Sequence, residues 1–113
     1  MCIAKEEEMT MEKKQARWIY KTMNEIRYFE EKVHKIFSDG QIPGFVHLYV
    51  GEEAVATGVM SLLEDDDYIT STHRGHGHAI AKGCDLNGMM AEIMGKKDGL
   101  GHGKGGSMHV AET

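Results

Sequence analysis

Long apolar runs, paired cysteines and a basic face are all missing from this chain, and each absence removes a class of function. No apolar stretch approaches the ~20 residues that a membrane-spanning helix needs, so a transmembrane role is excluded. The opening residues, Met1-Cys2-Ile3-Ala4-Lys5-Glu6-Glu7-Glu8, lack the basic-then-apolar layout of a secretory signal, and the expected location is the cytoplasm. Cys2 and Cys84 are too few and too far apart for a disulfide framework or a four-cysteine zinc site, and are expected to be free thiols. Lys and Arg number 13 against 18 Asp and Glu, for a formal charge of −5. The basic residues are scattered, and neutralising a phosphate backbone requires a basic face, so no nucleic-acid partner is expected. Glycine is absent from the front of the chain: all 14 glycines lie at or after Gly40, and six of the seven histidines at or after His47. A helical front and a glycine-histidine back follow from that asymmetry.

What is present is ordinary in bulk, with 41% apolar and 27% charged residues in 113. A chain of that length makes one domain that buries roughly two-thirds of the surface its unfolded form exposes. Residues 1–9 are acidic and aperiodic and read as a disordered leader to a domain over 10–113. Thr10 is placed to cap a long helix whose apolar positions Ala16, Ile19, Met23, Ile26, Phe29, Val33, Ile36 and Phe37 recur every three or four residues, with Gly40 to end it. Lys13, Lys14, Lys21, Glu25, Glu31 and Lys35 fall on its opposite, solvated face. Gln41-Ile42-Pro43-Gly44 is a turn, and Phe45 to Val50 a short extended segment. From Gly51 to Leu63 the apolar set Ala54, Val55, Gly58, Val59 and Leu62 predicts a second helix, its small residues implying tight packing. Tyr68 to Thr72 reads as a short buried strand. Ala79 to Gly83 is one or two helical turns closed by glycine, and Asp85 caps a last helix over Leu86 to Met94, closed by Gly95. No internal repeat is present.

Chemistry concentrates in Thr70-Ser71-Thr72-His73-Arg74-Gly75-His76-Gly77-His78. After an extended run, an Arg-Gly pair flanked by histidines at a helix start can present donors to an anion, with Arg74 clamping phosphate through its planar fork and His73 donating beside it. The bland alternative pairs Arg74 with a carboxylate from Asp65 to Asp67 and leaves the histidines as satisfied polar groups; the cluster alone does not separate the two. Zinc ligation by His76, His78 and a third imidazole is a rival, weakened by i, i+2 spacing and by the lack of an HExxH motif or paired cysteines. His47, among apolar neighbours, is either a hydrogen-bonded packing residue or, if it lines a cleft, an acid, base or donor. The run Gly99 to His109 lacks the GxxxxGK[ST] spacing of a nucleotide loop, and its dense glycines suggest a loop packed against another surface or a mobile one.

Three blocks in order carry a resemblance: Gly44-Phe45-Val46-His47-Leu48 with Gly51-Glu52-Glu53-Ala54, then Tyr68 to Gly77, then Gly103-Lys104-Gly105-Gly106-Ser107-Met108-His109. From about Met11 to His109 the chain resembles the amino-terminal part of the alpha subunit of thiamine diphosphate-dependent 2-oxo acid dehydrogenases, the first component of pyruvate and acetoin dehydrogenase complexes. The resemblance implies an α/β thiamine diphosphate-binding fold, of which this piece supplies mostly helix and one or two short strands. It implies that His73, where the family often has Tyr, and Arg74 contact the cofactor's diphosphate, that His47 approaches the substrate, and that Phe45 is an apolar wall beside it. It further implies magnesium, with ligands beyond Thr113, and no metal ligand in this chain. A beta subunit in a heterotetramer, a lipoyl-bearing acyltransferase component, and pyruvate or acetoin as substrate complete the expected partners. On this view the piece is inactive by itself and marginally stable, with Phe45, Val50, Ile69 and Met94 short of burial. A non-catalytic interaction module and a small histidine-rich metal binder are the alternatives.

Overall fold

A computed structural model describes residues 11–112; the expected leader, Cys2 and the capping Thr10 lie outside them. Four helices account for the regular structure of the described residues: α1 (Lys13–Ser38), α2 (Glu53–Met60), α3 (His76–Lys82) and α4 (Leu86–Ile93). α1 follows the apolar spacing from Ile26 onward, whereas Ala16 is exposed and Ile19 and Met23 are only half-buried and outside the core. Ile26, Phe29 and Val33 are buried, Ile36 and Phe37 pack against them, and Lys13, Lys14, Lys21, Glu31 and Lys35 face outward. Glu12 holds the N-cap position without a side-chain cap bond. At the other end Gly40 takes φ +75° while its N–H reaches Phe37 O and that of Gln41 reaches Ile36 O, which closes the helix as glycine's left-handed freedom allows.

The remaining helices wrap the same core. Ile42 and Tyr49 from the connecting segment, Ala56 and Met60 from α2, Ile80 and Ala81 from α3, and Met89 and Ile93 from α4 join the α1 stripe. Asp85 caps α4 as expected, accepting from Gly88 N at 2.6 Å, and Gly83 closes α3 at φ +102°.

Two expectations are corrected. No strand forms among the described residues. Tyr68 to Thr72 is irregular and mostly exposed, because an extended segment needs a neighbour to share its ladder and none of the described residues supplies one. α2 presents a different face from the one its apolar pattern suggested. Glu53, Ala56, Thr57 and Met60 are buried, while Ala54, Val55, Gly58, Val59 and Leu62 are exposed, and a side chain at Gly58 would point into open space. Phe45 (81% exposed) and Val50 are short of burial as expected, whereas Ile69 and Met94 are half-buried against the core.

Candidate functional site

The site is built around the irregular segment from Phe45 to Val50, which follows the bend at Gly44 and runs into a turn at Val50-Gly51, with Gly51 at φ +94°. With no strand beside it among the described residues, its backbone donors and acceptors turn to side chains, since buried peptide groups need partners of some kind. Tyr49 N–H donates to Glu30 Oε2 at 2.6 Å. His47 N–H points at Ser107 Oγ, 3.4 Å away. Leu48 O accepts from Arg74 Nη1 at 2.5 Å. Gly51 N–H donates to the Glu53 carboxylate, at 3.1 and 3.0 Å from its two oxygens.

Those partners are themselves organised. Glu30 is fully buried on α1 and its Oε1 lies 2.6 Å from His76 Nδ1, also fully buried at the start of α3. His76 Nε2 faces Ser107, 2.9 Å from its carbonyl oxygen and 3.0 Å from its hydroxyl. Arg27 Nε donates to Glu53 Oε1 at 2.5 Å. That bond, followed by the backbone N–H groups of Glu53 and Gly51, outweighs burial and holds the Glu53 carboxyl below its ordinary value; the same pairing raises Arg27. Burial, with Glu52 adding to it, raises the Tyr49 phenol.

The glycine loop reaches the same place through a third glutamate. Glu92, fully buried on α4, accepts from Gly101 N and Gly103 N on Oε2, both at 2.8 Å, and from Gly105 N (2.6 Å) and Gly106 N (3.3 Å) on Oε1. Burial alone would push this carboxyl up, but the converging N–H dipoles prevail and lower it. A side chain on Gly99 would meet the backbone of Glu92 itself, and one on Gly103, at φ +75°, would meet the backbone of Gly95 and Lys96. The loop is packed rather than loose, and it delivers Ser107 to His76 and to His47.

The expected residues are placed as follows. His47 and His73 meet edge to face, ring centroids 4.8 Å apart at 87°. Arg74 follows directly, half-buried, and among the described residues its guanidinium pairs with no carboxylate; the Asp65 to Asp67 pairing does not form. His47 Nδ1 is buried and has no hydrogen-bond partner among the described residues. Phe45 stands exposed at the start of the same segment. Of the other cluster histidines, His76 is internal and His78 packs edge to face on Tyr49 at 5.1 Å. Among the described residues no group of three or more His, Cys, Asp or Glu is arranged to hold a metal ion, and no helix is long and apolar enough to cross a membrane. A cavity of about 580 Å³ lies elsewhere, between residues 65–72, α3 and residues 108–112, and its lining contains none of Phe45, His47, His73 or Arg74.

Glu30, Glu53 and Glu92 were missed by sequence reasoning, although a signal existed for one of them. Position 30 lies four residues after Ile26 and three before Val33, inside the buried stripe of α1.

The chain is 62% identical over 112 residues to the alpha subunit of acetoin:2,6-dichlorophenolindophenol oxidoreductase from Bacillus subtilis (strain 168), which covers 99% of this chain and 34% of that protein. It is 55% identical over 104 residues, 92% of this chain and 31% of the relative, to the subunit of the same name from Cupriavidus necator. To the pyruvate dehydrogenase E1 component subunit alpha of Porphyra purpurea it is 47% identical over 92 residues, 81% of this chain and 27% of the relative. The chain thus spans about a third of the length of the curated relatives it matches. The family model described as dehydrogenase E1 component matches residues 21–113, and with these identities it establishes that the chain belongs to the dehydrogenase E1 component family.

Proposed function

We propose that this chain forms one wall of a thiamine diphosphate site, as the amino-terminal part of an E1 alpha subunit of the acetoin or pyruvate dehydrogenase type within an α/β fold. The carrying observation is the convergence of His47, His73 and Arg74 on one short segment, with the Arg74 guanidinium free of any carboxylate among the described residues. One donor of Arg74 is committed to Leu48 O, and a guanidinium has five, so the planar fork retains donors for a diphosphate. His73, the preceding residue, is exposed and its ring N–H is a further donor. These residues therefore fit the anionic end of the cofactor.

When bound, thiamine diphosphate supplies a thiazolium carbon that stabilises an acyl carbanion. The chain's own residues bind and orient. Arg74 and His73 fix the diphosphate, His47 presents its imidazole to the substrate oxygen, and Phe45 contributes apolar surface beside it. The Nδ1 of His47, like that of His78, is buried with no partner among the described residues, which supports that role in that it needs a partner from outside them. Magnesium ligands are not assigned to this chain. The acyl group passes to a lipoyl carrier, and a beta subunit completes the site in a heterotetramer. Acetoin is the favoured substrate, supported by the names of the relatives at 62% and 55% identity.

The test is cofactor affinity in the assembled enzyme that carries this chain. Arg74→Ala weakens thiamine diphosphate binding by about 10- to 100-fold, the worth of a charge-assisted hydrogen bond. Unchanged affinity refutes the reading. Steady-state rates with dichlorophenolindophenol as acceptor, compared between acetoin and pyruvate, decide the substrate.

A further inference from the structure

We infer that Glu30, His76 and Ser107 are positioning residues that set His47 for its work, standing in for the strand ladder that the Phe45–Val50 segment lacks. The inference rests on the thiamine diphosphate reading above for the role of His47. In an extended chain the N–H groups of residues two apart leave on one edge and the carbonyl between them leaves on the other. Here His47 N–H and Tyr49 N–H, on the first edge in that geometry, meet Ser107 Oγ at 3.4 Å and Glu30 Oε2 at 2.6 Å, and Leu48 O, on the other, accepts from Arg74.

The two holders on the first edge are joined to each other through His76, whose ring lies between Glu30 Oε1 at 2.6 Å and Ser107 at 2.9 and 3.0 Å. Glu30 and His76 are fully buried and Ser107 nearly so. Neither Glu30 nor His76 can touch substrate, so their influence on chemistry runs through the segment they hold. They come from three separate parts of the chain, α1, the start of α3 and the end of the glycine loop, so the backbone at 47–49 is fixed relative to all three at once. Gly77 adds a steric limit on the same segment, because the ring of Tyr49 occupies the space a side chain there would need. His47 thereby meets His73 at a fixed angle with its Nδ1 left unpartnered.

Double-mutant kinetics in the assembled enzyme test this. Ser107→Ala removes the hydroxyl but keeps the backbone carbonyl that faces His76 Nε2. The expected result is a kcat lower by about tenfold, the scale of a small misplacement at a reacting centre, with thiamine diphosphate affinity changed by less than about twofold. In a His47→Ala background the same substitution lowers the residual kcat by less than about twofold, because its effect is already lost. A merely structural role costs the same factor in both backgrounds, and equal factors overturn the inference. So does a His47→Ala rate equal to that of the unsubstituted enzyme. Glu30→Gln, read through Tyr49 N–H in the same two backgrounds, decides the matter if the Ser107 variant fails to assemble. The coupling between positions 107 and 47 is measured independently of Arg74, so loss of the cofactor reading through Arg74→Ala is distinguishable from loss of this one.

Discussion

Glu92→Gln isolates what holds the glycine loop. The native carboxylate offers two equivalent oxygens, each taking two backbone N–H groups: Gly101 and Gly103 on one, Gly105 and Gly106 on the other. An amide of the same shape offers one oxygen and one NH2, so two of the four N–H groups face a donor. A buried donor without a partner costs about 1–3 kcal/mol, and bonds to a charged acceptor are worth more than neutral ones, so the loop loses about 3–5 kcal/mol. Local opening at that cost raises amide exchange for residues 101–106 by about a hundredfold or more in the assembled enzyme, read by mass spectrometry on the peptides covering the loop. A variant whose loop amides exchange as slowly as the native ones would refute the reasoning. The sign of the pH dependence follows from the same geometry. The folded Glu92 carboxyl lies below its ordinary 4.5, so its stabilisation is fully present above that pH and is lost as pH falls through the lower, folded value. Loop amide protection in the native enzyme should therefore persist at pH 5 and fade only in stronger acid.

Two further substitutions test packing and reactivity. Gly77→Ala places a methyl group against the buried ring of Tyr49 and should destabilise by about 1–3 kcal/mol, seen as a lower thermal midpoint of the assembled enzyme; an unchanged midpoint would mean that α3 and the Tyr49 segment can part without cost. Burial, with Glu112 beside it, pushes the Cys84 thiol up to about 11. Its thiolate is correspondingly scarce, and alkylation by iodoacetamide at pH 8 should run roughly a hundredfold slower than for an ordinary free thiol, followed on the Cys84 peptide.

The parts of the fold that sequence disclosed are those decided by local rules. The α1 stripe, the glycine stops at 40, 83 and 95 and the Asp85 cap all depend on spacing or on single-residue conformational preference, and all are present. The buried face of α2 was not legible, because Val55, Val59 and Leu62 make as good an apolar stripe as Ala56, Thr57 and Met60, and tertiary packing chooses between them. Glu53 on the chosen face brings the reason: its carboxylate binds Arg27 and Gly51 N–H, which turns that side of α2 inward. Of the site, His73 with Arg74 was legible as one cluster and His47 as a separate candidate; that His47 meets His73 is set by packing, and the division of the cluster into an exposed His73 and an internal His76 depends on where α3 begins. α3 starts at His76, earlier than its apolar residues suggest, so His76 turns toward Glu30 while His73 stays outside.

Glu30, Glu53 and Glu92 share one physical task, and that task explains why this chain can present a site without a sheet among its described residues. Each is a helix residue at most 6% exposed, and each spends its carboxylate on backbone N–H groups of a non-helical segment. A buried carboxylate left unpaired would cost several kcal/mol, and these three are paired by the backbone N–H groups, joined by Arg27 at Glu53 and by His76 at Glu30. The converse also holds. The Phe45–Val50 segment and the glycine loop, without ladder partners among the described residues, have N–H groups that a carboxylate receives, the former with Ser107 and Arg74 beside it. Helices therefore act as rigid supports from which charged acceptors reach into the irregular segments, and His47 and Ser107 are fixed on those segments by helix-borne groups. Glycine at 101, 103, 105 and 106 suits this arrangement because successive N–H groups can point at one carboxylate only when the backbone curls closely around it, and φ of +75° at Gly103 and +62° at Gly106 supplies that curvature. Exchanging any one of these glutamates for an apolar residue of similar volume should therefore free a segment of the site more than it unsettles the core.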